Sequence, residues 1–175
     1  MGRIITVYGI IGGVIVAIGM WVGMAMVPHG GSLGMVVGYL TMLVAMSMVF
    51  AGVKRYRDEV LGGVIRFWPA LCVGLAIALI ASLFYVLTWE AYMVYTNYTF
   101  MDEYVASTLE SMKAEGKSAA EIAKFSTDMA EFAKDYANPL YRMAITLSEI
   151  APVGMLVALV SGALLRKSSF FPAKR

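Results

Sequence analysis

Residues Phe67–Tyr95 read "FWPALCVGLAIALIASLFYVLTWEAYMVY". No charged residue interrupts the chain between Arg66 and Glu90. A helix rises about 1.5 Å per residue, so Arg66 to Glu90 covers about 36 Å, more than the roughly 30 Å hydrocarbon core of a bilayer. This segment predicts a membrane-spanning helix. Its ends fit as well: Phe67 and Trp68 mark one interface, and Trp89, Tyr92 and Tyr95 mark the other.

Three more segments pass the same length test: Ile4–Val27, Leu33–Val53 and Leu140–Leu165. The composition agrees. The 175 residues are 60% hydrophobic and 15% charged, with mean hydropathy +0.74, whereas soluble domains hold about 25% charged residues. The first segment follows a single Arg3, but it is longer than a signal-peptide core and ends in "MAMVPHGG", which lacks a small-x-small cleavage site. It reads as an uncleaved first span. Small residues recur four apart in every span: Gly9/Gly13/Ala17 and Gly19/Gly23, Gly34/Gly38, Gly74/Ala78/Ser82, and Gly154/Ala158/Gly162. Such spacing lets helices approach closely in lipid.

The basic residues set the expected orientation. Arg3, Lys54, Arg55, Arg57, Arg66, Arg166, Lys167, Lys174 and Arg175 fall on one side, accompanied by Asp58 and Glu59. The opposite side has the "PHGGS" turn, with the single histidine His29, and residues 97–138. That segment holds four lysines against eight acids: Asp102, Glu103, Glu110, Glu115, Glu121, Asp128, Glu131 and Asp135. Both termini are therefore expected in the cytoplasm and residues 97–138 outside. The net charge of +2 gives no nucleic-acid signal. The "KRYRDEV" loop could attract anionic lipid, although the orientation rule alone accounts for its charge.

Residues 97–138 predict a helical hairpin. Thr99-Phe-Met-Asp102 and Ser118-Ala-Ala-Glu121 fit capping boxes, and Gly116 fits a helix stop. Met101, Tyr104, Val105, Leu109 and Met112 form one stripe; Ile122, Phe125, Met129, Phe132 and Tyr136 form another. Asn138-Pro139 predicts a cap with proline at the first helical position. Glu121/Lys124 and Lys124/Asp128 are spaced to pair. The hairpin reads either as a lid packed on itself and the bundle or as a docking surface.

The pieces "VYGIIGG", "FAGVKRYRDEVLGGVIRFWPALCVGLAIALIASLFYVLTW" and "NPLYRMAITLSEIAPVGMLVALVSGALLRK" occur in that order. Together they resemble the bacterial integral membrane family catalogued as Domain of Unknown Function 4199, most tellingly in "YRD…GG" and "E-I-x-P-V-G". The resemblance covers nearly the whole chain. It implies a four-span bacterial envelope protein with an extracytoplasmic helical insert, and no particular activity.

Depth along the helices picks out the site candidates. Glu90 and Arg142 each fall about 6 Å inside the outer boundary, so they are expected to pair between helices. Glu149 lies about 16 Å down span four, with no cation at its depth. Pro152 lacks an N–H and frees the carbonyl of Ser148. A polar site of Glu149, Ser148 and Pro152, approached by Tyr85 and Ser82, is expected to face the bundle interior. It reads as a proton or cation site or as a neutral, hydrogen-bonded glutamate. Met20/Met24 and Met42/Met46 read as apolar filler more than as copper ligands. The one cysteine, Cys72, makes no internal disulfide. No nucleophile–histidine–acid set, nucleotide loop or metal motif is present, so no enzyme activity, cofactor or metal is expected.

The expectation is one all-α membrane domain over 1–175, a four-helix bundle with an extracytoplasmic hairpin between spans three and four. It is read as a non-enzymatic accessory or interaction protein of the bacterial inner membrane. Its partners would be membrane lipids, an envelope protein at the hairpin or a second copy, and not nucleic acid. The alternative is a proton- or cation-coupled carrier of small solutes that uses Glu149.

Overall fold

A computed structural model describes residues 1–26 and 32–173. The turn with His29, and the basic residues Lys174 and Arg175, lie outside the described residues. Among those described, the chain forms six helices and no strand: α1 (Gly2–Met26), α2 (Ser32–Val60), α3 (Phe67–Tyr95), α4 (Phe100–Ala114), α5 (Ala119–Tyr136) and α6 (Pro139–Leu165). Four of them, α1, α2, α3 and α6, are long and apolar enough to cross a membrane. They run alternately up and down. Helix α3 packs against α6, α1 and α2, and α2 also packs against α1 and α6. The shared core is made of Met42, Ala45, Met46, Val49, Val53, Val73, Ile77, Ala81, Ile150 and Ala158. Met42 and Met46 are thus core filler, and Met20 fills a second cluster beside Trp89.

Small residues set the closest approaches. A side-chain carbon on Gly154 would lie 3.0 Å from Ala78 Cβ, and one on Gly74 would lie 3.0 Å from Ala158 Cβ. Helix α1 meets α3 the same way, with Gly9 under Ile80 and Gly13 under the Phe84 ring. Against α2 it offers Gly12 to the Ala45 carbonyl and Gly19 to Thr41. Span two departs from expectation. Gly38 has open space around it, and the glycine that brings α2 close is Gly52, under Ile77 and Tyr8.

The expected "KRYRDEV" loop is corrected as well. It is helical, the last two turns of α2. Lys54 pairs with Asp58 at 2.5 Å and Arg55 with Glu59 at 2.8 Å, both four residues apart, the spacing that stabilises a helix. Arg57 continues the buried stripe of Met46, Val49 and Val53, and is itself fully buried. Its Nε donates to Asp58 Oδ1 (2.6 Å) and its Nη1 donates to the Phe170 carbonyl (2.9 Å). Nη2 donates to the Phe171 carbonyl. The segment after α6 therefore folds back across the end of the bundle, with Phe170 and Phe171 edge-on to Phe50. The "GG" of the motif closes the helix. Gly62 and Gly63 take left-handed backbone (φ +65° and +94°), which glycine adopts without a Cβ penalty, and Gly63 N–H donates to the Arg57 carbonyl at 2.9 Å.

Replacing Arg57 should take the donors from the tail carbonyls, while Asp58 keeps Lys54. Arg57→Gln is expected to cost about 2 kcal/mol, read as a lower thermal midpoint in detergent, with Lys167 becoming a preferred trypsin site. An unchanged midpoint and digestion pattern would show that the tail is not held this way.

Candidate functional site

Helix α3 ends where Asn97 and Tyr98 both take left-handed backbone (φ 50° and 62°). Asn97 N–H donates to the Val94 carbonyl (3.1 Å) and Tyr98 N–H to the Met93 carbonyl (2.8 Å), the paired bonds of a Schellman stop. The chain leaves this turn already helical at Thr99 (φ −74°, ψ −13°). Thr99 therefore cannot cap, and the expected Thr99–Asp102 capping box is absent. Its hydroxyl lies against the Thr96 carbonyl (2.9 Å) and Glu103 Oε1 (2.8 Å) instead. At the tip, Lys117 N–H donates to Met112 and Gly116 N–H to Lys113, with Gly116 at φ +72°. Ser118 is extended, and its box with Glu121 is complete. The hydroxyl and backbone N–H of Ser118 hold the Glu121 carboxyl below its ordinary pKa. Asn138 Oδ1 accepts from Leu140 N–H at 3.0 Å, just ahead of α6.

The hairpin of α4 and α5 packs along its own seam, and α5 also packs on α6. Within the two helices only Tyr136 is buried. The expected lid is thus an arm, joined to the bundle at its base by Phe100, Met101, Phe132 and Tyr136. All eight of its acids are exposed. Neither Glu121/Lys124 nor Lys124/Asp128 forms an ion pair among the described residues.

The base is held by Arg142, which is buried. Its Nε and Nη2 donate to the two oxygens of Glu90 at 2.8 and 2.5 Å, and Nη1 donates to the Tyr136 carbonyl at 3.0 Å. The guanidinium carbon lies 5.4 Å from the centre of the Tyr98 ring and 5.8 Å from that of Tyr136. Trp89 Nε1 donates to the Tyr136 hydroxyl at 2.8 Å. The structure therefore brings Glu90 and Arg142 together, and adds Tyr136 and Trp89. Counting depth along the spans does not flag that second pair, because Tyr136 stands on the arm and not on a span.

Glu149 is placed differently from expectation. It is exposed at the edge of α6 that meets α3, beside exposed Ser148 and Pro152, and not enclosed within the bundle. Helix α6 is continuous through Pro152. Tyr85, wedged between the two core clusters, donates its hydroxyl to Glu149 Oε2 at 3.0 Å. Ser82 is buried, but among the described residues no hydrogen bond joins it to Glu149. The Ser148 hydroxyl is turned back onto the Ile145 carbonyl at 2.6 Å.

An acid on a continuous proline-bearing helix and a "YRD…GG" helix end thus sit in one membrane-type bundle. The chain belongs to the DUF4199 family. The family model, described as "Protein of unknown function (DUF4199)", matches residues 7–167. That range takes in "YRD…GG", "E-I-x-P-V-G", the arm, and the Glu90, Arg142 and Glu149 positions. Among curated proteins and among solved structures, none matches this chain.

The forked pair at the arm's base should be strongly coupled. Glu90→Gln and Arg142→Gln are each expected to destabilise, and the double variant to lose less than the two together, by about 2 kcal/mol. Chemical denaturation in detergent measures the cycle. Strictly additive losses would show that the contact contributes nothing as a pair.

Proposed function

We propose that this protein is a non-enzymatic accessory subunit of the bacterial envelope, set in the inner membrane with both termini in the cytoplasm and the arm outside. The observation that supports this reading is the arm itself. It rises from the bundle on a base fixed by Arg142, Glu90, Tyr136 and Trp89, and it exposes eight acids against four lysines. A packed lid would turn its apolar stripe onto the bundle. This arm turns only the base of its stripe (Met101, Phe132 and Tyr136) onto the bundle, packs the rest along its own seam and leaves its charge outward, which fits docking of a partner with a basic surface. The orientation follows from the arginines gathered at the opposite end.

The carrier reading draws less support. A transported proton or cation needs an acid lining a path through the bundle, and Glu149 lies exposed at the edge of the bundle with a single phenol as partner. Its place suits a contact between membrane helices better.

Crosslinking in cells followed by capture tests the proposal. Replacing residues 99–137 with a short linker should abolish a specific partner band. Reversing the charge of Glu110, Asp128 and Glu131 to lysine should weaken the band and leave the folded bundle intact. Glu149→Gln should leave it unchanged. If the band survives loss of the arm, or if Glu149→Gln abolishes pH-driven flux in proteoliposomes, the carrier reading takes its place.

A further inference from the structure

At the arginine-rich end, α1 and α2 part around a cleft of about 240 Å³ lined by Arg3, Ile4, Val7, Tyr8, Arg55 and Glu59. Its charges can be accounted for one by one. The basic residues of the α2 terminus are already divided: Arg57 turns inward to the tail, and Lys54 is taken by Asp58. Arg55 turns toward α1. Its Nε pairs with Glu59 at 2.8 Å, and its Nη1 donates to the Tyr8 hydroxyl at 3.5 Å. Tyr8 accepts there, so its own hydrogen remains to donate. Arg3 is exposed and makes no ion pair among the described residues. With Glu59 matched to Arg55, the cleft holds one uncompensated positive charge, on a guanidinium whose planar fork suits phosphate oxygens.

The other wall is apolar. Ile4 and Val7 line the cleft, and the face of α1 beyond it continues as Val7, Ile11, Val14 and Ile18, exposed by 41%, 42%, 43% and 59%. Steps of four, three and four keep these residues on one side of the helix for about 16 Å. Helix α1 has membrane-spanning length and composition, so this stripe meets hydrocarbon, and the cleft at its end sits at headgroup depth. We propose that the cleft is a phospholipid site. Arg3, Arg55 and the Tyr8 hydroxyl take the phosphodiester, and an acyl chain lies along Val7, Ile11, Val14 and Ile18. One net positive charge answers the single negative charge of a phosphodiester, and Glu59 fixes Arg55 against the phenol. A soluble phosphate would use the charges and leave the adjoining apolar stripe without a role.

Native mass spectrometry of the delipidated, detergent-purified protein tests this. Phosphatidylethanolamine, phosphatidylglycerol and diacylglycerol of equal chain length are titrated separately. Both phospholipids should form one tight adduct, since they share the phosphodiester, and diacylglycerol should not. Arg3→Gln should weaken the adduct about tenfold and Tyr8→Phe a few-fold, as expected for loss of a charged and a single hydrogen bond. Arg66→Gln, an exposed arginine at the same end but outside the cleft, should change nothing. Tyr8→Phe removes one oxygen only, so it serves as the readout if Arg3→Gln folds poorly. Three results would each overturn the site. Diacylglycerol could bind as tightly as the phospholipids, Arg66→Gln could weaken the adduct as much as Arg3→Gln, or inorganic phosphate could displace the lipid at equal concentration.

Discussion

A leucine gains little by leaving hydrocarbon for the inside of a protein, so a bundle in lipid is held by whatever lets its backbones come close. Here that is a set of single-atom clearances. Gly154 faces Ala78, Gly74 faces Ala158, Gly9 lies under Ile80, and Gly12 lies against the Ala45 carbonyl. Each contact has room for a hydrogen and none for a methyl without movement. The first three join α3 to both α6 and α1, the fourth joins α1 to α2, and together they fix α3, the helix to which the remaining features refer. Tyr85, Trp89 and Glu90 all stand on α3.

With α3 and α6 pressed together, the two ends of α6 become the places where charge is buried. Arg142, in its first turn, draws in Glu90 and the carbonyl that ends α5. At the other end, Arg57 of α2 lies near the Leu165 carbonyl (3.5 Å) and binds the carbonyls of the returning tail. The two sites share one device: a guanidinium satisfying several fixed oxygens at once, which lysine's compact ammonium cannot match in geometry. In both, part of the acceptor set is main chain, so the arginine locks the path of the backbone as well as pairing charge. Helix α6 is thereby clamped at each end, and the segments that enter and leave it are fixed with it.

What could be read from the sequence divides along a physical line. Depth was legible, because rise per residue is nearly constant. The four membrane-type helices, and the level shared by Glu90 and Arg142, follow from counting. Caps were legible where the backbone was extended beforehand: Ser118 and Asn138 (ψ 153° and 118°) both cap, whereas Thr99 enters from a left-handed turn and does not. Direction around the helix was not legible. Successive residues are about 100° apart, so Glu149 is exposed although Ile150 beside it is wholly buried. A span apolar on all sides offers no stripe from which to fix that rotation. The charges at the end of α2 suggest a juxtamembrane loop, whereas the chain there is helical. The contrary signal was present: Arg57 follows Val49 and Val53 at four-residue steps, on the buried side.

Helices of 15 and 18 residues, like those of the arm, are marginal by themselves in water. Their persistence here needs support at both ends. At the tip, the Schellman stop at Gly116 runs directly into the Ser118–Glu121 box, so the orphan carbonyls of one helix and the orphan N–H groups of the next are met within a few residues. At the base, Tyr136 is held twice, its carbonyl by Arg142 and its hydroxyl by Trp89. Both holders belong to the membrane helices, so the arm's direction is set by the clamp on α6 and by the rigid end of α3. The half-buried seam between α4 and α5 then has only to keep two helices already fixed at their ends from parting. Its outward faces can consequently be given over to charge, which a lid folded onto the bundle would have had to bury.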